Sequence, residues 1–553
     1  TMHRPRRSLT RRKFVGNVTA VSATATGVLR STTRPGRAAP AAPEFRAQWG
    51  QSLDRAWLGT DFWANPMQDW RVANGRAECH NAAPDRNLHV LTRQLAVAPG
   101  DLLMSVRVGR VGGGALAGKG SFGFRIGILG TLRDYPEHHD YRNNLWPAPA
   151  SGLSAGVTAD GGIFVEKLGS ANNVKLDLSA EEVELRLSAE RKGDSYEVTL
   201  TAFDARAGKQ LGQASVDSVP ASQFVGNLAL VCNFPVAGAG PGGKGKGKPK
   251  AKAMPTGPNP GLGQFWFNDW RISGSKVVAD ESHAFGPILW SQYTLSGGVL
   301  KLTVQMPPLG PQDTANVRLQ TRAHMQGDAR TQWTDIATSV IHPRARTAVF
   351  RIPKWNDRAD VPYRVAYTLR SKSGSQEHYW TGLIRRDPVD QAELSVADIS
   401  CNIHAIFPNV PLVRNVAKLN PDLLAFTGDQ FYESTGGYGV QRAPLEPAIL
   451  DYLRKWYFHG WTWRELMRDR PSVSIPDDHD VYQGNLWGEG GAGRVTTQEA
   501  GGYDMPADWV NVVHRTQTSH HPDAYDPAPG TRGTINWYGA LTYGRVSFAL
   551  LAD

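Results

Sequence analysis

Over most of the chain, apolar and polar residues alternate with a period of two. Met104, Val106 and Val108 interleave with Ser105, Arg107 and Gly109. Val183, Leu185 and Leu187 interleave with Glu184, Arg186 and Ser188, and after Lys192-Gly193-Asp194-Ser195 the alternation resumes at Tyr196, Val198, Leu200 and Ala202. Successive strand side chains point to opposite faces, so this pattern predicts half-buried antiparallel strands, the last two forming a hairpin. Asp69-Trp70-Arg71-Val72 recurs as Asp269-Trp270-Arg271-Ile272, which predicts first and last strands that pair or lie symmetrically. These strands make a first β module over residues 44–275. A second runs over 276–388, where Leu300, Leu302 and Val304, then Val317 and Leu319, then Tyr363, Val365, Tyr367 and Leu369 repeat the alternation.

After Asp387-Pro388 the period changes. Leu394 to Ser400 reads as a strand leading into Cys401, and Pro411 to Leu419 has helical spacing. Asp422 to Thr427 reads as a strand running into Gly428-Asp429. Strand, helix and strand in this order predict a βαβ unit with Cys401 and Asp429 at the carboxyl ends of parallel strands. A third apolar strand, Ser472 to Ile475, delivers Asp477-Asp478-His479-Asp480. Three loops are therefore expected to converge at one sheet edge, where open α/β sheets bind their ligands. Val546 to Asp553 reads as a further buried core strand of this module. The fold class expected is multidomain: two all-β sandwiches followed by a partial α/β domain over 389–553.

Composition refines this picture at a few points. With 553 residues the chain exceeds one core. A formal charge of +10 suggests an acidic partner until its distribution is read. Residues 1–43 hold nine Arg and Lys and no acid, and Lys244, Lys246, Lys248, Lys250 and Lys252 crowd one Gly- and Pro-rich stretch. Setting those fourteen aside leaves −4 for the remainder, which argues against nucleic acid as a partner. Residues 236–263 are of low complexity and predict a disordered insertion between two strands of the first module. Cys79, Cys232 and Cys401 make no disulfide framework; a Cys79–Cys232 bridge and two buried thiols both remain open.

Thr10-Arg11-Arg12-Lys13-Phe14-Val15, followed by a weakly apolar run to Leu29 and the small-residue stretch Ala38 to Ala42, resembles a twin-arginine export signal. That resemblance implies recognition by the twin-arginine export machinery and a periplasmic or extracellular location. The first module resembles concanavalin-like sandwiches, of the type found in laminin-G and glycan-binding modules, and the second an immunoglobulin or fibronectin type III sandwich. Trp57, Trp63, Trp70, Trp146 and Trp266 are either glycan-stacking platforms or core. Asp134, Glu137, His138, His139 and Asp140 are either a ligand cluster or a solvated loop.

The carboxy-terminal residues carry the chemistry. Two cations close together need a carboxylate between them, anionic ligands on either side and an acid for the leaving oxygen of a phosphate ester. Asp429 has the chemistry to bridge, Cys401 as thiolate and Tyr432 as phenolate to hold a ferric ion, and Asp478 to hold the second metal. His479 is then placed as acid or electrostatic stabiliser.

Pro421-Asp422-Leu423-Leu424, Gly428-Asp429-Gln430-Phe431-Tyr432-Glu433, Ser400-Cys401 and Asp477 through Trp487 resemble the alkaline phosphatase D (PhoD-like) branch of the metallophosphoesterases. The resemblance implies hydrolysis of phosphate mono- or diesters by an iron (Fe3+) and calcium site. It carries Cys401, Asp429 and Tyr432 over as first-metal ligands, Asp478 as a second-metal ligand and His479 as the catalytic histidine. Asp398 resembles the first Asp of the wider superfamily and is a further candidate ligand, while Asn485 and Arg515 are candidates to touch phosphate. The superfamily completes its site with later His and Asn ligands, including a Gly-Asp-Val-His type block. Nothing of that type follows here, and truncation of the chain is the favoured expectation. The rival expectation is a secreted glycan- or surface-binding protein with a degenerate phosphatase module.

Overall fold

The structure is a computed structural model. It describes residues 44–551, apart from 82, 113–119, 130–151, 166–174, 179–181, 235–263, 323–331, 405–406, 436–437, 483–501 and 531. The export-signal residues, the Lys-rich insertion, Trp146, the cluster from Asp134 to Asp140, and Asn485 lie outside the described residues.

The alternating stretches form strands because each buries one face. In Val183–Lys192 the side chains of Val183, Leu185, Leu187 and Ala189 are buried while the residues between them are not. This strand pairs with Ser195–Asp204 in the expected hairpin. Eight strands make one sheet and seven the other, all antiparallel, and their inner faces form one core. The two Trp-containing repeats sit in the same sheet on either side of Arg76–Cys79. They lie symmetrically and do not pair, and Trp70 and Trp270 are fully buried. Val277–Ala279 pairs with Arg86–Leu95, so the first sandwich extends four residues past the boundary expected from sequence. The second sandwich has a three-stranded and a four-stranded antiparallel sheet.

The third module holds a parallel sheet in the order Val396–Ile399, Leu423–Phe426, Ser472–Ser474. Helix α1 (Val410–Leu419) connects the first two strands as the βαβ unit requires. Val546–Leu550 is a correction: it pairs antiparallel with Gly539–Tyr543 in a separate hairpin, and of its five residues only Leu550 is buried. The tight turn at Gly544, with φ of 58°, lets the chain fold back on itself locally, so no parallel core strand forms there.

Helix α2 (Leu445–Met467) is the element on which the modules meet. Fifteen of its residues are buried, on every side, so it lacks the one-sided 3.6-residue stripe by which a surface helix is recognised. Trp456 and Tyr457 meet Trp290 of the second sandwich edge to face at 5.8 Å. Phe458 lies 4.9 Å from the Trp63 ring of the first sandwich. Gly460 is required at the crossing, because a Cβ there would lie 2.3 Å from the Trp290 ring. One apolar core consequently runs from the second sandwich through α2 into the third module.

Candidate metal centre

The parallel strands end together and their loops are tied by main-chain bonds. Cys401 N–H donates to the Gly428 carbonyl and Asn402 N–H to the Asp429 carbonyl, both at 3.1 Å. Cys401 and Asp429 each sit in the left-handed region, with φ of 54°. Such a backbone costs a non-glycine residue about 1 kcal/mol or more and is concentrated where function requires it. Gly428 brings the third loop close: a Cβ on it would lie 2.6 Å from Asp477 Cβ. Asp480 then joins the two acidic loops, its Oδ1 accepting from Gln430 N–H at 3.1 Å and its Oδ2 from Asp477 N–H at 3.0 Å. Complete burial pushes the Asp480 carboxyl up to about 8.

Ligand atoms of Asp429, Asp478 and His479 lie within 4.8 Å of one another. Tyr432 closes a side of the same site, its phenol beside Cys401 and Asp429. Burial, and then these two neighbours, hold the Tyr432 phenol well above its ordinary value. The Tyr432 ring also lies 4.3 Å from the His479 ring. Burial, with the charges of Asp429 and Asp477 adding to it against the pull of His479, pushes Asp478 up to about 6. His479 Nδ1 contacts Glu433 Oε2 at 2.6 Å. This bond outweighs partial burial and raises His479 to about 9. Burial alone would raise the Glu433 carboxyl, but the bond and charge of His479 hold it below its ordinary value.

The side chains fit a cation. Asp429 is buried and its Oδ1 has no hydrogen-bond partner, although an unpaired buried carboxylate oxygen is costly. A second carboxylate lies close to it, and the Tyr432 phenol and Cys401 thiol are neighbours on the adjoining loops. When ionised these are anionic donors of the hard and soft types that transition metals take.

The structure thus brings ligand atoms of Asp429, Asp478 and His479 together with Tyr432 beside them, while Cys401 is exposed and is joined to the Asp429 loop through its main chain. It does not gather the other candidates that are described. Asp398 is exposed on its strand and accepts from Thr427 Oγ1 at 2.7 Å. Arg515 is exposed on helix α3 (Ala507–Thr518), beside His342 of the second sandwich. The late histidines His514, His520 and His521 are buried; His520 Nε2 bonds the Ser472 carbonyl at 2.9 Å and His521 Nε2 accepts from Ser474 N–H at 2.9 Å. Glu433 and Asp480 had no assigned role from sequence. Their signal was position, Glu433 next to Tyr432 and Asp480 next to His479.

The candidate glycan platforms Trp57, Trp63, Trp70 and Trp266 are all buried in the core. Cys79 and Cys232 are free, buried thiols, which settles the alternative left open by sequence. No helix among the described residues is long and apolar enough to cross a membrane.

No family model matches the chain, and no curated protein matches it. Among solved structures, arcelin-5, a lectin-like defense protein from Phaseolus vulgaris, is similar at 8% identity over 42% of this chain and 99% of its own, with a TM-score of 0.26. Lectin II from Ulex europaeus is similar at 9% identity over 42% of this chain and 99% of its own, TM-score 0.27. The purple acid phosphatase PPD1 from yellow lupin (Lupinus luteus) is similar at 9% identity over 85% of this chain and 64% of its own, TM-score 0.32. The structural neighbours of this chain therefore include legume lectins and a purple acid phosphatase, at identities and TM-scores too low to carry a statement about its chemistry.

Proposed function

We propose that the chain is a metal-dependent phosphoesterase of the alkaline phosphatase D type, hydrolysing phosphate mono- or diesters. The observation that carries this reading is the meeting of Asp429, Asp478 and His479 around a buried carboxylate oxygen that has no partner. Cys401, Asp429 and Tyr432 would hold iron, and Asp478 with Asp429 a second ion, calcium. Bound metal would supply positive charge to the phosphate oxygens.

The remaining roles belong to the protein. Glu433 takes the Nδ1 side of His479, which fixes the ring and leaves Nε2 to hold or pass a proton to the leaving oxygen. Asp480 keeps the two loops in register. Export by the twin-arginine route rests on Thr10 to Val15, the weakly apolar run to Leu29 and the stretch Ala38 to Ala42, and it would place the reaction outside the cytoplasm.

The test is hydrolysis of bis-p-nitrophenyl phosphate and p-nitrophenyl phosphate by the full chain incubated with iron and calcium. Turnover that disappears in Asp478→Ala supports the reading. No turnover of either ester, or turnover that survives the substitution, contradicts it.

One observation favours glycan binding as a second reading. The open face of the eight-stranded sheet forms a groove of about 570 Å³ lined by Ser105, Arg107, Glu184, Arg186, Phe203 and Asp269 among others. Arg186 lies 4.3 Å over the Phe203 ring. Glycan-array binding that is lost in Phe203→Ala would support it, and an empty array would remove it.

A further inference from the structure

Helix α2 carries two charges that the reading above does not use. Asp451 and Lys455 stand one turn apart with side chains only 2% and 1% exposed. Lys455 Nζ donates to Asp451 Oδ2 at 2.5 Å and to the Tyr482 hydroxyl at 3.0 Å. The Tyr482 hydroxyl in turn donates to Asp451 Oδ2 at 3.0 Å. Gln441 N–H reaches the same oxygen at 3.1 Å. The other carboxylate oxygen accepts from Gln68 Nε2 of the first sandwich at 3.4 Å. Beside them Arg454 donates through Nε and Nη2 to Asn65 Oδ1, also of the first sandwich.

Stability does not explain such a pair, because apolar side chains of similar volume generally serve a buried site as well or better. What an ion pair adds is direction: each atom must meet a specific partner. Here the partner is Tyr482, which closes the His479–Val481 turn in the left-handed region with φ of 61°. Its carbonyl accepts from Arg442 Nη1 at 2.9 Å, and the Lys455 ammonium lies 4.7 Å from its ring centroid. The segment Asp477–Tyr482, which carries Asp478 and His479, is therefore held at further places besides the His479–Glu433 bond. Asp480 bonds it to the Gly428–Tyr432 loop, and Tyr482 bonds it to α2.

We propose that Asp451, Lys455 and Tyr482 are positioning residues for the segment bearing Asp478 and His479, and that the first sandwich, through Gln68, is a required part of that site without supplying a ligand to it. The positional part stands on the buried contacts. The consequence for metal binding rests on the phosphoesterase reading.

The experiment uses the full chain with two changes, Asp451→Leu and Lys455→Met, made together so that neither member of the pair is left without the other, while the buried Arg454 keeps its bonds to Asn65. Tyr482→Phe is a second variant that removes only the hydroxyl, and Gln68→Ala tests the sandwich contact. Thermal midpoints report the fold. Amide hydrogen exchange of residues 477–482 in the metal-free chain reports positioning, and calorimetric titration with Co2+ reports the site. Expected are midpoints close to the parent's, exchange at 477–482 faster by about tenfold or more, and Co2+ affinity weaker by about tenfold or more, the effect usual for outer partners of metal ligands. Tyr482→Phe should shift exchange and affinity in the same direction even if the double variant fails to fold. Unchanged exchange at 477–482 in a folded Tyr482→Phe overturns the positioning role, and an unchanged Gln68→Ala overturns the part assigned to the sandwich. A parent chain that binds no Co2+ contradicts the metal reading instead, and the exchange result still decides the positioning role.

Discussion

Replacing His459 by Phe should remove a defined share of the protein's acid sensitivity. His459 is 1% exposed on helix α2, and neither ring nitrogen has a hydrogen-bond partner. Its ring stacks on Trp456 at 4.9 Å and meets Phe426 edge to face at 4.8 Å. Burial lowers its pKa from 6.5 to about 3. The unfolded chain therefore binds a proton that the folded chain refuses, so this histidine costs nothing above about pH 6.5 and destabilises progressively as pH falls towards its folded value. Between about pH 7 and about pH 5 the linkage amounts to roughly 2 kcal/mol, at 1.36 kcal/mol per pKa unit.

Phe keeps a planar ring at this position and cannot be protonated. Urea unfolding of the parent and of His459→Phe, followed by tryptophan fluorescence at both pH values, measures the difference. The loss between pH 7 and pH 5 should be smaller in the variant by about 2 kcal/mol. Equal losses in the two proteins would refute the reasoning, whatever the variant's stability at pH 7.

Glu433→Gln leaves the chain folded but loosens the His479 ring, and turnover of bis-p-nitrophenyl phosphate should fall by about 10–100-fold; unchanged turnover would show that Glu433 does not orient the histidine. In Asp480→Asn the amide offers one oxygen to the two backbone N–H groups that the carboxylate serves, so urea unfolding above about pH 8, where Asp480 is ionised, should show a loss of about 1–3 kcal/mol. Gly460→Ala places a methyl group 2.3 Å from the Trp290 ring; despite alanine's better helix propensity, overpacking should cost about 1–3 kcal/mol in the same assay.

The β modules were legible because each strand buries one face, so Leu185 and Leu187 announce themselves against Glu184 and Arg186. The βαβ unit was legible from apolar runs that end in Cys401 and Asp429, and those residues do meet. Helix α2 was not. Its apolar residues face two sandwiches and the parallel sheet at once, and its charged residues Asp451, Arg454 and Lys455 are buried with partners hundreds of positions away or across a turn. The strand Val546–Leu550 was misread because apolar content does not distinguish a buried parallel strand from one arm of a local hairpin. The Trp residues of the first sandwich were ambiguous for a similar reason: a ring that can stack on a sugar can equally fill a core, and Trp63 and Trp70 do the latter. Within the site, ligand types were readable but their supports were not, because Glu433 reaches His479 across 46 positions and only the fold sets that distance.

The metal centre is tested most directly by the metal content of the full chain after dialysis against excess iron and calcium and removal of free ions, compared with Asp429→Asn. The parent should retain at least one ion per chain, and the variant, lacking the buried carboxylate, should retain little while keeping its metal-free melting temperature. Equal metal in both proteins, or none in the parent, would contradict the assignment of Asp429, Asp478, Cys401 and Tyr432 as ligands.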